Sequence, residues 1–367
     1  MTTLPTGSTI SVGTPAASGS ESGGRTKTAR NPLSALARWE VLLVIILAVV
    51  LWAGNTISPF YLDWTNFGFS VSGTMEVAVM ALAMTPIIIM GDIDLSVEAM
   101  VGLSGAVLGV LWTSGIPLQI GIPIVLGVGL LGGVLNGLLV TRWGLPALVV
   151  TLGTLALYRG LAQIVLGTSY VSNFPTSFTD IGQGYVPGTQ IPWTLLAFLV
   201  LAVIFFAVMH VTWIGRQVFA VGKNKEAARY SGVRVATLRT ALFAVSGIVA
   251  AFAGIMLALR TNSVRSDSGT GLTLIVVMIA VLGGVDINGG KGTIIGVVLA
   301  AFTLTALQSA LRLGGISSEY QNVVIGLLLI FSVITPQIAR QFRVLVDRVN
   351  QGRTRPVRDP APGEVVR

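Results

Sequence analysis

The chain has no cysteine, a single histidine (His210) and few charges, with Asp, Glu, Lys and Arg making up only 10% of its 367 residues. The first absence excludes a disulfide framework and thiolate metal sites. The second excludes a histidine-cluster metal centre, so no metal or other cofactor is expected. The third matters most. Soluble domains carry about 25% charged residues, so most of this surface is not built to face water. With 53% hydrophobic residues, the composition points to a chain that meets a lipid bilayer.

What is present is a series of apolar segments, at about 41–58, 74–90, 95–113, 117–140, 146–167, 192–213, 240–260, 272–285, 293–311 and 320–338. A helix needs about 20 apolar residues to cross the hydrocarbon core, and only helices or closed barrels satisfy their own backbone there. The expected fold is therefore all-α: a polytopic transmembrane bundle of about ten spans. The segments at 95–113 and 272–285 are the weakest, one carrying Glu98 and the other being short. Many breaks fall at proline, among them Pro86, Pro117, Pro123, Pro146 and Pro192. Residues 1–38 read as a disordered polar tail, too poor in apolar residues to bury a core. The length of that polar stretch before the first apolar run argues against a secretory signal. A membrane domain is expected over 39–340 and a basic tail over 341–367.

The net charge is +8, but the lysines and arginines lie between apolar runs rather than on one soluble face, so nucleic acid is not expected as a partner. Positive residues favour the cytoplasmic side of a membrane. With both termini cytoplasmic, 19 of the 23 Lys and Arg residues fall inside, including Arg142, the cluster from Arg216 to Arg239, and Lys291. Arg159, Arg260, Arg265 and Arg312 remain within spans or outside.

Gly129, Gly133 and Gly137 recur every four residues, the spacing that lets two membrane helices approach closely. A charge near the bilayer centre costs about 2.5–3.5 kcal/mol, and three candidates stand out. Glu76 is expected to reach the outer interface and Glu98 to snorkel from the inner edge. Arg159 lies deeper and needs an acidic or carbonyl partner. Proton-coupled carriers use chains of intramembrane Asp, Glu or His. Their scarcity here favours a neutral solute and an external energy source, although an ion-coupled secondary carrier or channel remains the alternative, with sodium held by backbone carbonyls.

The longest charged segment between spans is Gly215 to Arg239. Within it Asn224 to Tyr230 reads as a short helix: Asn224 is the N-cap, Glu226 favours the first turn, Ala227 and Ala228 propagate it, and Gly232 ends it. Such a helix on the cytoplasmic side suits a partner's groove. The run Gly284 to Gly292 mimics a phosphate loop, but Val285 occupies the first glycine position and Gly292 the Ser/Thr position. It reads as a turn between helices.

Four stretches carry a family resemblance. Gly222-Lys223-Asn224-Lys225-Glu226-Ala227-Ala228-Arg229-Tyr230-Ser231-Gly232 resembles the coupling loop of the ribose/xylose/arabinose-type permeases of ABC importers. Gly91-Asp92-Ile93-Asp94-Leu95-Ser96-Val97 is similar to their Gly-Gly-Ile-Asp-Leu-Ser-Val motif, with Asp92 in place of the second glycine. Asn136-Gly137 with Thr151, Tyr158 and Arg159 resembles the central signature, and Gly283-Gly284 followed by Gly289 to Thr293 resembles the late glycine motif. The stretches around Arg265 to Thr273 and Ser317 to Tyr320 lean towards the rhamnose and autoinducer-2 subgroups.

The resemblance implies a permease subunit without its own ATPase site, importing a monosaccharide such as a pentose or deoxyhexose. Its implied partners are a cytoplasmic ABC ATPase subunit, an extracytoplasmic sugar-binding protein and a second permease copy or paralogue, all at the cell's inner membrane. The loop 215–239 would couple to the ATPase through Gly222, Asn224, Glu226, Ala227, Ala228 and Gly232. Asp92, Asp94, Ser96, Asn136, Gly137, Thr151, Arg159, Gly283 and Gly284 would belong to the family motifs or the translocation path.

Overall fold

The computed structural model describes residues 39–331 and 334. The expected tails at 1–38 and 341–367, and the end of the tenth apolar segment, lie outside the described residues.

Among the described residues six helices are long and apolar enough to cross a membrane: α1 (Trp39–Ile57), α5 (Leu118–Arg142), α6 (Ala147–Leu166), α8 (Trp193–Phe206, extended by a π-helical turn to Val211), α11 (Val235–Thr261) and α13 (Ile294–Leu313). A seventh crossing is available from α2 (Trp64–Ser72) and α3 (Met75–Ile89), bent by 51° at their junction. Three apolar helices are shorter: α4 (Val97–Thr113), α12 (Leu272–Leu282) and α14 (Ser318–Phe331). Smaller helices fill the ends, namely α7 (Thr176–Gln183), α9 (Trp213–Lys223) and α10 (Lys225–Tyr230). The chain is a polytopic helical bundle, and every expected apolar segment falls, within the described residues, on one of these helices.

Proline positions sort into two kinds. Pro117, Pro146 and Pro192 stand immediately before α5, α6 and α8, because proline disfavours helical geometry in the residue ahead of it. Pro86 and Pro123, expected to be breaks, lie inside α3 and α5, as membrane helices tolerate. The all-α expectation also missed a two-stranded antiparallel ribbon, β1 (Tyr170–Ser172) with β2 (Ser263–Arg265), in which Val171 pairs with Val264. Both valines sit over Gly109 of α4, where a side chain would collide with them.

Helix α3 is the centre of the molecule, with every residue buried. Helix α1 is peripheral, burying only Leu43 and Gly54 and turning Leu42, Val44, Ile45, Val49 and Trp52 outwards. The glycine stripe of α5 finds its partner in α11. A methyl at Gly133 would strike the Phe243 carbonyl and Ala244, one at Gly137 would strike Thr240, and Gly247 returns the contact against Gly129 and Gly133. At this crossing Thr141 Oγ1 and Thr240 Oγ1 share a hydrogen bond of 3.0 Å.

The bundle has two distinct ends. At one, the Gly290 amide donates to the Ile89 carbonyl (2.8 Å), Gly222 packs against both, and Thr141 meets Thr240. This gathers Arg142, the 215–239 loop and Lys291 together. At the other end lie the β-ribbon, Gln183 bonded to the Arg260 carbonyl and Arg312 bonded to Ser70.

Candidate functional site

Helix α12 has 11 residues, about 16 Å of helix against a core of about 30 Å. Helix α4, with 17 residues, reaches about 25 Å. Non-helical backbone precedes α4 and follows α12, and this is what places the site. After α3, Gly91 adopts φ +86° and the Asp92 amide returns to the Ile87 carbonyl at 3.1 Å. After α12, Gly284 also has φ +86° and the Val285 amide returns to Ala280 at 3.1 Å. These are matching C-terminal turns with glycine in the left-handed position. They equate Gly91 with Gly284.

Residues 91–96 then run as open chain into the bundle rather than along its end. Asp94 is 1% exposed and fully engaged by neutral donors. The Ser96 amide (3.0 Å) and hydroxyl (2.6 Å) donate to Oδ1, and the Ser246 hydroxyl of α11 donates to Oδ2 at 3.0 Å. Asn136 Nδ2 donates to Ser96 Oγ at 2.8 Å. The Tyr158 hydroxyl donates to the Gly132 carbonyl at 2.8 Å, close to Asn136 Oδ1 at 3.4 Å. Thr151 Oγ1 lies 3.3 Å from the Ile93 carbonyl. Irregular backbone at membrane depth survives only when buried in protein or lining a cavity, and this segment is braced by α5, α6 and α11 together.

The charged groups are arranged with equal economy. Arg239 grips Asp92 with two bonds, Nε to Oδ2 at 2.7 Å and Nη2 to Oδ1 at 2.5 Å. Arg159 Nη2 bonds Glu98 Oε1 at 2.8 Å, while Glu98 Oε2 accepts from the backbone amides of Gly271 (3.0 Å) and Thr273 (3.2 Å). Glu98 therefore caps α12, whose N-terminus favours a negative charge. Glu76 accepts from Arg260 Nε at 2.5 Å and is 2% exposed. Both glutamates are buried in the protein, each held by an arginine. Arg159 has the acidic partner it needed.

Of the expected motif residues, Asp94, Ser96, Asn136 and Thr151 converge on one segment. Asp92 and Arg159 belong to ion pairs at its two ends. Gly137 serves the α5–α11 contact. Gly283 and Gly284 stand apart, packed against Gly296 and Val297 of α13 and against Trp39. Ser246 and Arg239 were missed by the sequence reading, since a lone serine and one basic residue among six carry no signal of what they face.

The short helix in the 215–239 loop forms as expected. Asn224 Oδ1 accepts from the Ala227 amide at 2.9 Å, Ala228 is buried, and Lys225, Glu226, Ala227, Arg229 and Tyr230 are exposed. The preceding residues are helical too, in α9, where the sequence suggested only loop. Beside α10 opens a hollow of about 490 Å³ whose lining includes Lys225, Arg229, Arg234 and Arg239 together with Val233 and Val235.

Comparison with known proteins decides the family. Residues 66–333 match the family described as branched-chain amino acid transport system / permease component. The chain belongs to this permease family. The autoinducer 2 import system permease protein LsrD of Yersinia enterocolitica is 35% identical over 82% of this chain and 92% of its own length. The protein of the same name from Enterobacter sp. (strain 638) is 36% identical over 81% and 92%, and that of Escherichia coli K12 is 35% identical over 81% and 91%. No solved structure matches. The permease is a multi-pass membrane protein, the transmembrane subunit of an ABC-type import system.

Proposed function

We propose that this permease crosses the membrane ten times over residues 39–340, with both termini cytoplasmic, and imports a small neutral oxygenated solute of monosaccharide size. The names of its relatives make autoinducer 2 the first compound to test. An extracytoplasmic binding protein would deliver the solute, and a second permease copy or paralogue would complete the path. Cytoplasmic ATPase subunits would hydrolyse ATP, the permease itself breaking no covalent bond. Helix α10 carries this reading: a capped, solvent-exposed helix at the end of the bundle where basic residues collect. Positive residues mark the cytoplasmic side, which puts α10 within reach of an ATPase.

Gly222, Asn224, Glu226, Ala227, Ala228 and Gly232 would form the coupling element. Gly222 lets α9 seat on Ile89 and Gly290, Asn224 starts α10, and Gly232 leaves it with φ +86°. Lys225, Arg229 and Arg234, which line the hollow beside α10, suit an acidic surface on the ATPase, while Arg239 is held by Asp92. Asp92, Asp94, Ser96, Asn136, Thr151 and Arg159 would brace the mobile wall of the path, with Gly137, Gly283 and Gly284 setting helix contacts. Glu76, Asp92 and Glu98 are each engaged by an arginine, which supports a neutral solute driven from elsewhere.

The test is purification of the permease with its ATPase. Glu226→Lys and Gly232→Val should leave membrane insertion intact and reduce uptake by about tenfold, since a reversed charge or wrong geometry at an interface costs more than about a kcal/mol. Normal uptake at normal expression would remove the coupling role.

A further inference from the structure

We propose that the Asp92–Arg239 ion pair is the joint through which movement of α10 reaches the buried segment 91–96. The proposal rests on the coupling role given to α10 above. It starts from the link between α10 and α11, which is short and internally bonded. The Gly232 amide donates to Arg229 (3.0 Å), the Val233 amide to Ala228 (3.1 Å) and the Val235 amide to Val233 (2.9 Å). Displacement of α10 is thus passed to the start of α11 rather than absorbed in a slack loop.

Arg239 stands one turn into α11 and holds Asp92 by two bonds with the side chains 14% and 11% exposed. Paired bonds of this kind fix orientation as well as distance. Seven residues further along the same helix, about 10 Å, Ser246 donates to Asp94. Residues seven apart lie on the same face of a helix. Helix α11 therefore grips the 91–96 segment at two points along one face. The α5–α11 crossing beside these pins sets Gly129, Gly133 and Gly137 against the backbone of Phe243, Ala244 and Gly247 and against Thr240. A turn or slide of α11 must carry the segment with it or break the pins.

The pair is not needed to make the turn. Gly91 and the Asp92 amide form it through backbone geometry alone, and the matching turn after α12 has the apolar Val285 in the place of Asp92. The carboxylate of Asp92 thus has a use separate from the local fold. Asp92 and Arg239 are positioning residues, acting on the Asp94–Ser96–Asn136 network rather than on solute.

The experiment uses the full complex of permease, ATPase and binding protein in proteoliposomes, with uptake and ATP hydrolysis measured on the same preparation. Asp92→Asn and Arg239→Gln should retain copurified ATPase and basal hydrolysis within about twofold, while uptake per ATP falls about fivefold or more, the range expected for a broken coupling contact. The exchanged double variant, Asp92→Arg with Arg239→Asp, should recover at least about half of that ratio. Arg239→Lys keeps the charge without the paired geometry and should fall between; it carries the test if the other variants fail to assemble. Unchanged uptake per ATP in the single variants overturns the proposal. So does a loss of uptake and hydrolysis in equal proportion in an assembled complex. Absence of ATP-dependent uptake in the wild-type complex would instead overturn the functional reading beneath it.

Discussion

At the scale of single residues, each ionised group in the interior is placed to limit the cost of taking charge out of water. Glu98 is the most connected, serving Arg159 and two amides of the α12 terminus. Glu98→Ala should destabilise the protein by about 1–3 kcal/mol, the range for losing bonds to a charged group, read by unfolding in detergent. Glu98→Ala with Arg159→Ala should cost less than the sum of the two, because each single change strands a charge. By contrast Arg265 and Asp267 are 67% and 62% exposed, and Asp267→Asn should leave the melting temperature unchanged. The need of Arg159 for a partner was legible from its place in an apolar run. The identity of that partner was not. Glu98 stands in the first turn of α4, and only the fold of the open chain ahead of it shows that it faces Arg159 and the start of α12.

At the scale of elements, long apolar runs and proline boundaries made most helices readable, and the glycine stripe announced that α5 would be crossed closely. Its partner was hidden, since Thr240, Ala244 and Gly247 of α11 share one helix face but stand among many other small residues of that helix. Gly133→Ala should lower stability by about 1–3 kcal/mol through overpacking, whereas Gly127→Ala, on the same helix with open space around it, should be neutral. Parallel thermal melts of the two variants check this. Helix α10 was readable because capping is local: Asn224, Glu226 and Gly232 announce it within nine residues. Asn224→Ala should cost about 1 kcal/mol of local helix stability, seen as faster amide exchange over residues 225–230. The β-ribbon was invisible because three-residue strands carry too little pattern, and Val171 and Val264 are far apart in sequence.

At the scale of the whole molecule, the charge distribution separates two ends, and the structure brings Arg142, the 215–239 loop and Lys291 to one of them. The absence of cysteine makes the chain a ready background for accessibility labelling. A single cysteine at Glu226 should react with a membrane-impermeant reagent only from the cytoplasmic side, and one at Asp267 only from outside. Labelling of both from the same side would break the proposed topology. Beyond topology, the central claim is that this bundle moves solute with energy supplied by another polypeptide. The most direct measurement is accumulation of autoinducer 2 in proteoliposomes holding the permease with its ATPase and binding protein. The account predicts accumulation that needs both ATP and the ATPase, and that disappears with Glu226→Lys. Accumulation by the permease alone, driven by a proton or sodium gradient, would contradict it.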